Sequence, residues 1–224
     1  MSIVKKQAFG NSVVQYAGYI VGLINVTFLF PNIFTSDQFG LTRIVIAVAS
    51  VYSQFAALGT NRVMMRFMPM FRTEDNKNNG LLLIGAIMPF FGFLLFSVIY
   101  YVFKDNIIGL YNERSNLFID SYFYVVPLAF LMLYTSIMES YLMGMFRTVF
   151  SNFLRHVLIR LLWTVDILLY YFGIVNWEEF LFVIIFFYSL NLLILAFYTL
   201  CYNKLEGLSW KGAVSQCCQV SRGP

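Results

Sequence analysis

The sequence predicts an all-α, polytopic membrane protein, and three observations lead to that class. Of the 224 residues, 60% are hydrophobic and only 12% are charged, whereas a soluble domain carries roughly 25% charge. The mean hydropathy is +0.73. Six stretches approach the length of about 20 apolar residues that crosses a hydrocarbon core, and none shows the period-two alternation of a membrane β-barrel. We therefore expect helices, with lipid as the solvent for much of the chain.

The predicted spans follow one another with short polar connections. They cover residues 9–30, 39–60, 80–103, 118–142, 152–173 and 180–201. The connections are too short for a catalytic domain, and the sequence contains no hydrolase elbow, zinc-protease motif or phosphate-binding loop. We therefore predict a six-helix lobe over residues 1–201 that is not an enzyme and has no cofactor or metal. Residues 202–224 have no periodicity and are expected to form an irregular cytoplasmic tail, or to result from a frameshift.

The basic residues predict the orientation. If the N-terminus is cytoplasmic, twelve of the fifteen lysines and arginines fall on or near the inner side, as the positive-inside rule requires. Lys104 and Arg114 fall outside, and Arg43 lies in the outer part of the second span. Both termini are then cytoplasmic. The net charge is only +4 and no basic tract is present, so nucleic acid is not an expected partner.

Polar and small residues form a stripe along each of the first two spans. Their spacing of three and four residues places each set on one helical face. The stripes comprise Asn11, Gln15, Gly18, Gly22 and Asn25 in the first span, and Arg43, Ala47, Ser50, Gln54, Ala57 and Asn61 in the second. One reading is a seam of small residues, with amides bonding across a helix contact. The other, favoured for Arg43, Gln15, Gln54 and Asn25, is a water-accessible cavity. For Arg43, snorkelling to the interface is a further alternative.

Charged residues within the fourth and fifth spans are the candidates for ion pairs or ion coupling. The fifth span places its polar side chains within one arc, among them Arg160 and Asp166. Asp166 lies at a depth comparable to that of Arg43, and Glu139 at a depth comparable to that of Arg160, which predicts these two pairs. A structural role in holding the helices in register and a functional role in ion coupling or substrate contact both remain open.

The first 72 residues resemble a known family in two blocks. Asp37, Gln38, Phe39, Gly40 and Leu41 open the second span, and Leu58, Gly59, Arg66, Phe67 and Pro69 follow it. These blocks are similar to the amino-terminal region of bacterial oligosaccharide flippases. These are the polysaccharide biosynthesis, or Wzx-like, proteins of the multidrug/oligosaccharidyl-lipid/polysaccharide exporter superfamily.

The resemblance implies a two-lobed fold that works by alternating access. Members of this family move undecaprenyl-diphosphate-linked sugar repeat units to the outer leaflet of the bacterial inner membrane. By similarity, Arg43, Gln15, Asn25, Ser50, Gln54 and Asn61 would line the cavity and bind the substrate. Other members of the superfamily export drugs against a cation gradient, which is the alternative function.

The chain departs from the family in its number of spans. Members have twelve to fourteen, whereas six are predicted here, and no second Phe-Gly-Leu block follows. We expect a single lobe, either a truncated and inactive product or scaffold, or a half-transporter. Because a lone lobe would expose charged residues to lipid, a second six-helix lobe or a second copy is the expected partner.

Overall fold

The computed structural model describes residues 3–71, 81–104, 121–145 and 148–220, with side chains for residues 7–67, 85–104, 121–145, 148–177 and 179–201. These residues form helices and contain no strand, which confirms the all-α class. The predicted loops over residues 72–79 and 105–116 lie outside the described residues, as does Arg114.

The helices follow the predicted spans with shifted ends. In chain order they are α1 (Ile3–Ile24), a π-helical turn (Asn25–Leu29), α2 (Phe30–Ile33), α3 (Ser36–Ala56), α4 (Thr60–Phe71), α5 (Leu81–Val102), a 3-10 turn (Tyr122–Tyr124), α6 (Val125–Gly144), α7 (Thr148–Phe153), a second π-helical turn (Leu154–Leu158), α8 (Ile159–Tyr171) and α9 (Trp177–Val220). We call the continuous run 3–33 the N-terminal rod and the continuous run 148–171 the second rod.

Five helical segments of the described chain are long and apolar enough to cross a membrane. They are Gln7–Ile33, Ser36–Ala56, Gly85–Val102, Tyr122–Gly144 and Glu179–Cys201. The fifth predicted span, 152–173, is helical but is not among them, because Arg155, Arg160 and Asp166 interrupt its apolar sequence. The chain therefore has the helices expected of a membrane protein, with the second rod more charged than the rest.

Local sequence explains where the second span begins and ends. Thr35 caps α3: its hydroxyl accepts the Gln38 backbone N–H at 3.4 Å, and the Gln38 side chain accepts the Thr35 N–H at 3.1 Å. The helix stops where Leu58 and Gly59 both take positive φ, +46° and +77°, a conformation that glycine adopts without strain. The predicted span 39–60 is therefore shifted toward the N-terminus, and the separate helix α4 follows it.

The last helix continues further than predicted. Its backbone is helical to Val220, through the segment for which the sequence predicts an irregular tail. The sequence between Cys201 and Val220 contains no proline to end the helix.

α6 lies at the centre of the bundle. It packs against α3, α4, α5 and α9, and its residues Val125, Ala129, Leu133 and Tyr141 are fully buried. The N-terminal rod packs instead against the second rod and meets α3 mainly through α2. The two rods and the α3–α6 group therefore form opposite walls of a cleft, with α9 in contact with both α6 and α8.

The two rods run parallel and in register. Asn11 contacts Thr148, Gly18 contacts His156, Gly22 contacts Arg160 and Asn25 contacts Thr164. The difference in residue number is 137 to 139 in every pair, so the helices point in the same direction over at least four turns.

Candidate functional site

The contact between the two rods explains most of the predicted stripe in the first span. The Asn11 amide donates to the Thr148 hydroxyl at 2.7 Å. A Cβ on Gly18 would collide with the His156 carbonyl, and a Cβ on Gly22 would lie 2.6 Å from the Arg160 guanidinium. These glycines let the two backbones approach closely, as small residues do between membrane helices. The seam reading is therefore correct for these three positions.

Asn25 lies both in this seam and at the edge of a cavity, the position favoured for it from the sequence. Its amide donates to the Arg160 carbonyl and its oxygen accepts from the Thr164 hydroxyl, both at 2.9 Å. The side chain is 3% exposed. It borders a cavity, but both ends of its amide are already bonded. Gln15 is half-buried and lies outside both cavities described below.

The first cavity lies between α3, α4, α6, the second rod and α9 and has a volume of about 600 Å³. Three of the predicted substrate-binding residues, Ser50, Gln54 and Asn61, line it. The Asn61 amide donates to the Ser136 hydroxyl at 3.2 Å, and the Ser50 hydroxyl donates to the Ala47 carbonyl at 2.8 Å. The Gln54 side chain is exposed.

Apart from Glu139, the opposite wall of this cavity was missed from the sequence. α6 contributes Thr135, Ser136, Glu139 and Ser140, and α9 contributes Asn191. The spacing of the α6 residues, one, three and one, is a helical-face signal in the fourth span that would have located this wall. Asn191 is the single amide of the apolar segment Glu179–Cys201, and spacing alone could not predict that it is buried.

The second cavity lies between the N-terminal rod, α3, α8 and α9 and has a volume of about 510 Å³. Arg43 and Arg160 line it together with Tyr19, Trp163 and the edge of Asn25. Ile159, Arg160 and Tyr188 line both cavities. The two cavities are therefore neighbours, separated by these three side chains.

The predicted pairing of Asp166 with Arg43 is wrong. Asp166 is 0% exposed, and neither of its carboxyl oxygens has a hydrogen-bond partner. The Arg43 guanidinium lies instead over two aromatic rings, 5.2 Å from the centre of Phe39 and 6.0 Å from the centre of Phe30. Similar depth did not bring the two together, because Asp166 lies in the buried face of α8 and Arg43 is on an exposed face of α3.

The predicted pairing of Glu139 with Arg160 is also wrong, because Glu139 pairs with Arg155. The Arg155 Nη1 donates to Glu139 Oε2 at 3.0 Å, with side-chain exposures of 61% and 9%. Arg160 donates to the Gly18 carbonyl and lies over the Tyr19 ring at 5.2 Å. The π-helical turn at Leu154–Leu158 adds a residue to one turn of the second rod.

The charges of the two cavities are unequal. Three arginines, Arg43, Arg155 and Arg160, and one acid, Glu139, line them, a net charge of +2 with His156 neutral. In the described part of the chain, no carboxylate lies within ion-pair distance of Arg43 or Arg160. The arrangement can attract an anion, and the hydroxyl and amide groups around it can bond to a polar, uncharged group.

Comparison of the chain with protein-family models, with curated proteins and with solved structures finds no match.

Proposed function

We propose that the chain is one lobe of a membrane transporter that takes an anionic lipid-linked oligosaccharide and moves its head group across a bacterial inner membrane by alternating access. The observation that carries the proposal is the pair of adjoining cavities with a net positive charge, enclosed by apolar helices. No covalent chemistry is involved. The resemblance of residues 37–41 and 58–69 to oligosaccharide flippases supports the same substrate class.

The parallel rods support six spans. The N-terminal rod contains a candidate span, Gln7–Ile33, and the second rod lies beside it in register and in the same direction. At 1.5 Å per residue, its 24 residues extend about 36 Å, enough to cross the hydrocarbon core. Two parallel helices at positions one and five fit a six-span chain whose termini are both cytoplasmic, as the basic residues predict.

The chemistry of the cleft suits a sugar diphosphate. Guanidinium groups bind phosphate oxygens through paired, charge-assisted hydrogen bonds. Among the described residues, Arg43 contacts two aromatic rings and no hydrogen-bond acceptor, and it is exposed, so its donors are available. Ser50, Gln54 and Asn61 line the first cavity and offer hydroxyl and amide groups to a sugar. The prenyl chain stays in apolar surroundings throughout, so its transfer costs little.

The lobe acts with a second six-helix lobe or a second copy. Arg43 and Gln54 are both exposed on α3, at the cleft, and a guanidinium facing hydrocarbon costs several kcal/mol. A partner that covers the cleft removes that contact with lipid and completes the enclosure.

The structure gives less support to the alternative function, that of a drug/cation antiporter. That function needs a free carboxylate in the cavity. Glu139 is already paired with Arg155, and Asp166 lines neither cavity. A hydrophobic cation transported by the wild type and lost in Asp166→Asn, without movement of the sugar lipid, would favour the antiporter.

The test is an inversion assay in vesicles that contain the full chain and a fluorescent prenyl-diphosphate oligosaccharide. The fraction reached by a membrane-impermeant quencher is measured over time. We expect Arg43→Gln to slow inversion by about ten-fold or more, since a charge-assisted contact is lost. Arg62→Gln is the matched control, because Arg62 is an exposed arginine of α4 outside both cavities. Inversion no faster than in protein-free vesicles contradicts the proposal and points to an inactive remnant or scaffold.

A further inference from the structure

An apolar groove of about 380 Å³ runs between α3 and α5. Ala47, Val51 and Tyr52 form one wall, and Phe96, Ile99 and Tyr100 form the other. The rings of Tyr52 and Tyr100 stack with centres 5.8 Å apart. The groove therefore presents ring faces and methyl groups.

The two tyrosine hydroxyls do not make the groove polar. The Tyr52 hydroxyl donates to the Phe93 carbonyl at 3.1 Å and also meets the Ser97 hydroxyl. The Tyr100 hydroxyl donates to the Tyr122 carbonyl at 3.3 Å. With their hydrogen bonds made to the protein, these side chains leave only apolar surface for an occupant.

The groove adjoins the cationic cleft around α3. Ile46 lines the second cavity and Ala47 lines the groove, and Ser50 lines the first cavity while Val51 lines the groove. Along the boundary, Arg43, Ala47, Val51 and Gln54 are all exposed. Ala47 lies one turn from Arg43 and about 40° around the helix. Its methyl group is the smallest side chain along this boundary.

We infer that this groove is the binding site for the apolar tail of the anionic lipid whose head group occupies the Arg43 cavity; the inference rests on the proposed function. The two sides of α3 complement the two parts of such a lipid. Arginines without a described acidic partner lie on one side of α3, and a surface without charge lies on the other. An amphiphile with a phosphate head and a long hydrocarbon chain can place its head group beside the arginines and its chain in the groove. The chain then crosses α3 at Ala47.

The experiment uses the full chain in phosphatidylcholine vesicles with a small fraction of a polyprenyl phosphate that carries a diazirine in its tail. After irradiation, cross-linked peptides are mapped by mass spectrometry. We expect the label at Phe96, Ile99 and Tyr100. We also expect it to be displaced by unlabelled polyprenyl phosphate and weakened by Arg43→Gln, since head and tail belong to one ligand.

A matched pair of valines tests the groove itself. Val51 lines it and is 52% exposed, whereas Val98 is 64% exposed on α5 and does not line it. Val51→Trp fills the groove and is expected to reduce labelling on the order of ten-fold, the equivalent of about two buried methylenes. Val98→Trp is expected to leave labelling unchanged.

Two results overturn the inference. Labelling spread equally over Leu95, Val98 and Ile99 would show ordinary surrounding lipid, and labelling insensitive to Val51→Trp would place the tail elsewhere. If either occurs while the inversion assay still depends on Arg43, only the tail site fails. If groove labelling responds to Val51→Trp but the protein does not invert the sugar lipid, the groove stands as a lipid site and the proposed function fails.

Discussion

Single residues decide how closely the two rods pack. Gly18 faces the His156 carbonyl, and any side chain there collides with backbone, which cannot rotate away. Gly40, in the first turns of α3, has no atom within 4 Å of an added Cβ. A side chain is therefore excluded at position 18 and has room at position 40, although both glycines lie in apolar helices.

We predict that Gly18→Ala destabilises the fold by about 1–3 kcal/mol, because the rods must move apart to accept the methyl group. Gly40→Ala is the control and is expected to be neutral or to stabilise by up to about 1 kcal/mol, since alanine favours helix. The measurement is the free energy of unfolding in mixed micelles of detergent and dodecyl sulfate. Equal effects of the two substitutions would contradict the seam.

The Glu139–Arg155 pair is asymmetric, and this predicts unequal effects of removing each partner. Arg155→Gln leaves a largely buried carboxylate without its counter-ion and should cost on the order of 3 kcal/mol of unfolding free energy. Glu139→Gln leaves an exposed guanidinium that water can solvate, at a cost below about 1 kcal/mol. The double variant should recover most of the loss. Two equal single effects, with no recovery in the double variant, would show that the pair contributes nothing.

The sequence located the polar residues but not their partners. The spacing of Asn11, Gly18, Gly22 and Asn25 correctly predicted one helical face. Whether that face meets water or another helix depends on tertiary packing, which spacing does not contain. Depth arguments paired Asp166 with Arg43 and Glu139 with Arg160. Both failed, because a depth along the membrane normal leaves the rotation of each helix undetermined.

At the scale of elements, the parallel register of the rods predicts a specific cross-link. Asn11→Cys with Thr148→Cys, with the native cysteines replaced by serine, should form a disulfide under mild oxidation, since the wild-type side chains are in contact at 2.7 Å. Asn11→Cys with Asn152→Cys, one turn further along, is the control and should react more slowly. The yields are compared by gel shift after maleimide–polyethylene glycol labelling. A faster control pair would contradict the register.

The ends of the helices could be predicted from the sequence where nearby residues determine them. Thr35 and Gln38 form a capping box, a sequence signal for a helix start, and Gly59 marks a helix end. The length of the last helix was not predictable in this way, because the residues between Cys201 and Val220 lack both an apolar period and a proline.

At the scale of the whole molecule, the number of crossings is testable. If the second rod spans the membrane, Asn176, which follows it, faces the periplasm. If only five segments span, Asn176 is cytoplasmic. We expect Asn176→Cys, in a cysteine-free chain, to react with an impermeant maleimide added outside right-side-out vesicles. Thr35→Cys, in the exposed break after the N-terminal rod, should react in both arrangements and is the positive control. If Asn176→Cys does not react with the maleimide, only five segments span the membrane.

Composition was enough to predict a helical membrane protein, and helix spacing was enough to predict which faces avoid lipid. The second rod shows where counting apolar residues falls short. Its charged residues lower its mean hydropathy. However, Arg160 donates to the Gly18 carbonyl and Asp166 is buried in the protein. Hydrophobicity scales treat each residue as if it faced lipid, which these two do not.

The seam between the rods also sets where the first helix tolerates random substitution. Positions 11, 18, 22 and 25 contact or hydrogen-bond the second rod, whereas Phe9, Tyr16, Ile20 and Leu23 are largely exposed. In a saturation-mutagenesis library, the positions of α1 that do not tolerate substitution should therefore form one narrow stripe along the helix. The apolar positions on either side of this stripe should tolerate it.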